Sequence, residues 1–156
     1  MKRIAITVLP VLFATTLAGA QAPAGWKVIK EDKAKCQMSV PAEWRQQEIF
    51  GKKIAAAASP DLTTDALVNL MDGDWAMFKS IVYSIYTKEK DRPKIEDTPK
   101  RLWFEIVTMT GAPGMTSWYV AVPGAAGTCN AQVNFKKGDK KAEELARKVV
   151  ATVRAS

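Results

Sequence analysis

The chain has 156 residues, with 23 Lys and Arg against 16 Asp and Glu, two cysteines and no histidine. That length suits one ordinary domain. The missing histidine excludes Ser-His-Asp and Cys-His nucleophile pairs, a histidine general base and histidine-containing zinc sites.

At the start, Lys2 and Arg3 lead an apolar run from Ile4 to Ala14, and small residues continue to Ala18, Gly19 and Ala20. This is the layout of a secretory signal peptide. The expected leader is 1–20. Cleavage after Ala22 is the alternative, disfavoured because Pro23 would then flank the scissile bond. The apolar run falls short of the ~20 residues that span a bilayer, so no stable membrane insertion is expected once the leader is gone. No cysteine stands at the cleavage site to carry a lipid anchor. The expected location is therefore a bacterial periplasm or the medium, which the absence of an Asn-x-Ser/Thr acceptor also suits. Losing Lys2 and Arg3 leaves 21 basic against 16 acidic residues, a net charge of +5. Such a balance favours anionic partners such as lipid headgroups, envelope polysaccharide or an acidic protein, and equally serves solubility. Nucleic acid is not expected, because the aromatics are not interleaved with the lysines.

Residues 21–25 read as a short linker and 26–156 as one domain. The first strand is expected at 26–30. A second covers 36–40, where Cys36, Met38 and Val40 alternate with Gln37 and Ser39 until Pro41 stops it. Strands at 53–58 and 66–71 end in turn residues, Ser59-Pro60-Asp61 and Asp72-Gly73. Asp74 then caps a helix in which Phe78, Val82 and Ile85 recur at helical spacing, running toward Lys88–Arg92 and ended by Pro93. The stretch 81–86 would also suit a strand, being β-branched and aromatic. Further strands are expected at 101–109, 117–122 and 129–135, with turns at Gly111–Gly114 and Pro123–Gly127. In the last strand Cys129, Ala131, Val133 and Phe135 share one face, and Asn130, Gln132 and Asn134 the other. A closing helix has Asp139 as N-cap and a stripe of Ala142, Leu145, Ala146, Val149 and Val153.

Both cysteines fall on apolar strand faces, and an even pair in an oxidising compartment reads as one disulfide, Cys36–Cys129. Closing a loop of about 90 residues would stabilise the fold by about 4–5 kcal/mol in the entropic account. No CxxC is present, so a thioredoxin-like redox site is not expected.

Other candidate sites are few. Asp61, Asp65, Asp72 and Asp74 are the one carboxylate cluster, but EF-hand spacing is missing and a turn plus a helix cap explains Asp72-Gly73-Asp74. Ser84 and Lys88 could form a Ser-Lys dyad on one helix face, with no phosphate loop or nucleophile elbow beside it. Trp103 and Tyr119 alternate with Phe104 and Trp118, placing large rings on both sheet faces. Where helices leave a face uncovered, Arg101, Trp103 and Tyr119 are expected to line a groove for a peptide or amphiphile. Lys136, Lys137, Lys140 and Lys141 around Gly138 would add an anion-attracting rim. No metal and no cofactor is expected.

The order of these elements resembles one known fold. An early strand runs into Ser39-Val40-Pro41-Ala42-Glu43-Trp44, and a following strand ends in Ala58-Ser59-Pro60-Asp61. A central helix, a strand meander and a closing helix follow. In this the chain is similar to the PsbP-like group, which includes photosystem II extrinsic proteins and DcrB-type periplasmic proteins. The resemblance implies an antiparallel sheet with helices on its faces, and protein-binding or assembly roles without shared catalytic residues. The group's metal and partner positions have no counterpart here, so no residue role is carried over.

The expected architecture is a single α+β domain: an antiparallel sheet of about six to seven strands with two packed helices, an α/β/α sandwich. The expected function is that of an exported, non-catalytic accessory protein that binds an envelope protein or an amphiphilic ligand. The alternatives are a small hydrolase using carboxylates or a Ser-Lys dyad, and an envelope-surface module acting through its basic patch.

Overall fold

The computed structural model describes residues 22–33, 35–85, 95–106 and 113–155. The expected leader and the distal end of the central helix, including Lys88, lie outside the described residues. Among the described residues ten strands and two helices follow one another in the order β1 (Trp26–Lys30), β2 (Cys36–Pro41), β3 (Arg45–Ile49), β4 (Lys52–Ala58), β5 (Thr64–Met71), α1 (Trp75–Ile85), β6 (Glu96–Thr98), β7 (Arg101–Ile106), β8 (Met115–Gly124), β9 (Gly127–Lys136), α2 (Lys140–Ala151) and β10 (Arg154–Ala155).

Seven strands form one antiparallel sheet in the order β3-β4-β5-β9-β8-β7-β6, and β1-β2-β10 form a second, smaller sheet. The expected sheet-and-two-helix architecture is therefore present, with three strands beyond the sequence reading: β3, β6 and β10. The first is polar, the second has three residues and the last two, too short or too hydrophilic to show a period. The sheet's spine is β8–β9, a ten-residue ladder from Met115↔Lys136 to Gly124↔Gly127. Its turn needs glycine at 127, where φ is +132° and a Cβ would stand 2.5 Å from the Met71 carbonyl oxygen.

The two faces of the large sheet carry different cores. On one, Ala66, Val68, Trp118, Val120, Ala131, Val133 and Phe135 pack against Ala142, Ala146, Val149 and Val150 of α2 and against Ile29, Met38 and Val40 of the small sheet. On the other, Leu102, Phe104, Ile106, Tyr119 and Ala121 receive Phe78 and Val82 of α1. Asp74 accepts the Met77 N–H at 2.8 Å to start α1, and Asp139 accepts those of Lys141 and Ala142 to start α2. Val153, expected in the α2 stripe, instead follows the helix and is buried beside β10. Thr152 ties that end to β2, since its Oγ1 accepts from Ser39 N at 2.8 Å.

The expected disulfide joins the two sheets. Cys36 on β2 and Cys129 on β9 are both fully buried, with Cα atoms 5.1 Å apart. In the Val40-Pro41-Ala42-Glu43-Trp44 corner, Trp44 N donates to the Pro41 carbonyl, and the indole is 1 % exposed in the same core.

Candidate functional site

The opening that geometry favours as a site lies between β4 and β5, and it begins with a bulge. In the β3–β4 ladder Gln46 faces Ala57 but Glu48 faces Lys53, so β4 carries two more residues than β3 over that span. Extra residues bend the strand that holds them. The Ile54 carbonyl freed by the bulge is taken up by Gln46 Nε2 at 2.9 Å. Beyond it, Lys52 and Lys53 stay with β3 and leave β5, whose pairing with β4 covers only Asp65, Ala66 and Leu67.

The result is a cleft of about 840 Å³ whose walls include Ile54 and Ala55 on one side and Leu67 and Leu70 on the other. Its floor is an open strand edge. Ser59 N donates to Thr64 O and Thr64 N to Ser59 Oγ, so the backbone of Thr64 points toward β4. Antiparallel geometry repeats that direction at every second residue, hence at Ala66, Val68 and Leu70. The Ala56↔Leu67 pair is closed by the Val68 N–H on the Ala55 carbonyl, and past it the Val68 carbonyl and the Leu70 peptide group, which point the same way, have no partner in the β4 ladder. Leu67 is a large apolar side chain left exposed there, and Phe50 stands fully exposed at the lip with φ of +49°. At the mouth, Lys52 and Lys53 face the loop of Glu31, Asp32 and Lys33. Burial pushes the Glu31 carboxyl up, but donation from the backbone of Lys33, Lys35 and Cys36 outweighs it and holds the group below its ordinary value.

The groove expected from Arg101, Trp103 and Tyr119 does not exist. Register places Trp103 opposite Val120 and Phe104 opposite Tyr119, so Trp103 and Tyr119 project from opposite faces of the sheet. Alternation fixes which residues of one strand share a face, but only the register decides which rings of two strands do. Tyr119 is buried under α1 between Phe78 and Phe104, at ring distances of 6.4 and 5.4 Å. Trp103 sits edge-on to Trp118 at 5.1 Å, and Arg147 of α2 covers both rings at 5.3 and 5.0 Å. Arg101 Nη2 donates to the Val150 carbonyl at 2.6 Å, so it anchors α2. Desolvation lowers the Arg101 pKa from its ordinary value, with Glu96 opposing that shift from 3.6 Å.

Lys136, Lys137, Lys140 and Lys141 are all exposed, at the opposite end of β4 and β5 from the cleft. The candidate carboxylates serve separate local roles. Asp61 organises a turn, accepting from Ser59 Oγ, Thr63 N and Thr63 Oγ1. Asp65 accepts from Asn134 Nδ2 at 2.7 Å on the large sheet's polar strip. Asp72 is exposed, 3.9 Å from Lys33, while Asp74 caps α1. Ser84 Oγ donates to the Ile81 carbonyl, and its proposed partner Lys88 lies outside the described residues. Among the described residues no group of three His, Cys, Asp or Glu is placed to hold a metal, and no helix is long and apolar enough to cross a membrane.

The cleft escaped the sequence reading because it is made by a missing pairing. Its one legible sign is the pair Lys52-Lys53 abutting the small-residue run Ala55–Ala58, which marks where β4 changes from solvated to packed.

No family model matches this sequence, and no curated protein matches it. Solved structures do. A Bacteroides thetaiotaomicron VPI-5482 protein, whose crystal structure was determined at 1.50 Å, superposes with a TM-score of 0.56 at 16% identity. The match covers 85% of this chain and 49% of that one, so this chain spans about half the length of the Bacteroides protein. The solution structure of cyanobacterial PsbP (CyanoP) from Synechocystis sp. PCC 6803 superposes with a TM-score of 0.52 at 10% identity, over 88% of this chain and 96% of that one. At such identities the likeness speaks for the fold alone. With its antiparallel sheet, two helices and this superposition over nearly the whole of CyanoP, the chain has a PsbP-like fold.

Proposed function

We propose that this protein is an exported, non-catalytic accessory protein that holds an extended segment of a partner protein in the β4–β5 cleft. The observation that carries the reading is the edge of β5 left open from the Val68 carbonyl to Leu70, flanked by apolar walls. An exposed edge offers donors and acceptors at fixed spacing, which an extended peptide satisfies by strand addition, while alternate side chains settle into the walls. The disulfide supports export, because such bonds persist in oxidising compartments. The leader expected at 1–20 supports it independently.

Amide hydrogen exchange tests the site. In the free protein the Leu70 amide should exchange faster than that of Val68, which donates to Ala55, and than those of Leu67 and Asn69, which point to β9. Peptides selected on the protein from a random display library should protect Leu70 and lose affinity in Leu67→Glu. Uniform protection along β5 in the free protein, or selected peptides that protect amides elsewhere, would refute the reading. Export is tested separately by intact mass of protein from the exported fraction: a start at Gln21 or Pro23 supports it, and a full-length mass refutes it.

A further inference from the structure

The tip of the β4–β5 hairpin and the loop leading from β9 into α2 lie side by side. Lys136 N donates to the Thr63 carbonyl at 2.8 Å, and Asp61, Thr63 and Lys141 line one shallow hollow. At the summit of the hairpin, Leu62 is 73% exposed with φ of +58°. That is the left-handed region, where glycine and asparagine are at ease and leucine is not. A leucine there is disfavoured by its backbone and gains no burial within the fold. The turn is nonetheless held firmly: Leu62 N donates to the Ser59 carbonyl, and Asp61 Oδ1 accepts three hydrogen bonds from Ser59 and Thr63.

The loop that meets this hairpin through Lys136 N, and the start of α2 beyond it, carry Lys136, Lys137, Lys140 and Lys141, all exposed, and among the described residues none of them forms an ion pair. Of the nearby acids two are in ion pairs. Asp139 caps α2, Glu143 pairs with Arg147 and Glu144 with Lys148. Asp61 and Asp139 keep their charge while accepting these hydrogen bonds, and with Glu43 they line the hollow, so the four lysines outnumber its three carboxylates by one.

We infer that this end of the sheet docks on an anionic lipid bilayer, with Leu62 entering the interface and the four lysines lying at headgroup level. Charge complementarity selects the anionic surface, and the projecting leucine selects hydrocarbon over a merely acidic macromolecule. An apolar prow rimmed by lysines is the arrangement by which proteins rest on a membrane without spanning it. The inference does not depend on the peptide cleft, which lies at the other end of β4.

The test is cosedimentation of the protein purified from the exported fraction with phosphatidylglycerol-rich vesicles and with phosphatidylcholine vesicles. Binding is expected to the first and not the second, and to weaken as salt rises. Each lysine changed to glutamine should reduce partitioning about fivefold. Leu62→Asn should reduce it roughly tenfold. Asparagine accepts the left-handed backbone, so this variant should melt at or above the wild-type temperature, separating loss of docking from loss of folding. Leu67→Glu, in the cleft, should leave vesicle binding unchanged. Equal binding to both vesicle types, no binding to either, or anionic binding indifferent to Leu62→Asn would overturn the inference. Displacement from vesicles by soluble polyglutamate with Leu62→Asn inert would assign the lysines to an acidic protein instead.

Discussion

Removing the inter-sheet disulfide in Cys36→Ala/Cys129→Ala should expose how far this fold depends on a covalent tie. The bond closes a loop with a sequence separation of 93 between two residues that are fully buried. In the chain-entropy account that loop restricts the unfolded ensemble by about 4.6 kcal/mol at 25 °C, and alanine keeps the site apolar where serine would bury a hydroxyl. For a domain of this size the loss corresponds to a fall in Tm of roughly 15 °C. Urea titration followed by tryptophan fluorescence measures it. The midpoint should drop, and the m value should rise, because the untethered denatured chain exposes more surface. A difference under about 1 kcal/mol with m unchanged would refute the reasoning, showing that packing between the sheets already fixes what the bond was held to fix.

Phe78→Ala should be among the most damaging single changes. The ring is 1 % exposed and stacks on Trp75 at 5.5 Å, so a loss of about 3–5 kcal/mol is expected in the same titration. Asp139→Ala removes the acceptor for two α2 amides and should cost about 1 kcal/mol, read as a lower midpoint with the native circular dichroism retained. Asp65 has its pKa raised by desolvation, with the Asn134 hydrogen bond opposing. A folded-state value above the unfolded one favours the protonated carboxyl, so the Asp65 contribution is best below its unfolded pKa and is lost as pH rises through the folded one. Asp65→Asn keeps the acceptor for Asn134 and should match or exceed the wild type in stability at neutral pH, with its advantage shrinking as pH falls. Stability profiles of the two proteins that stay parallel across that range would contradict the assignment.

The resolved elements show where local pattern suffices and where it fails. Phe78 and Val82 at helical spacing, and Cys129 to Phe135 in strict alternation, read correctly because each repeats the period of the element that buries it. Arg45–Ile49 shows no such period. Four of its five residues are polar, and it is a strand because β4 lies beside it. The two cysteines were legible as a pair, since each stood on the apolar face of its own strand. The expected ring groove failed at a different level: Trp103 and Tyr119 each lie on a sheet face as alternation requires, but the offset between β7 and β8 puts them on opposite sides.

The sequence alone determined the α+β class, the two helices with their aspartate caps, the spine strands and the cysteine pairing, because these follow from periods, caps and turns within a few residues. Tertiary structure decided what depends on pairing between distant segments. It separated β1, β2 and β10 into a sheet of their own, set the β7–β8 register, covered Trp103 with Arg147, and brought Leu62 beside the lysines after β9. It also parted β4 from β5 at a bulge. A strand edge left open is defined by the neighbour that turns away from it, and no residue on that edge carries the information by itself.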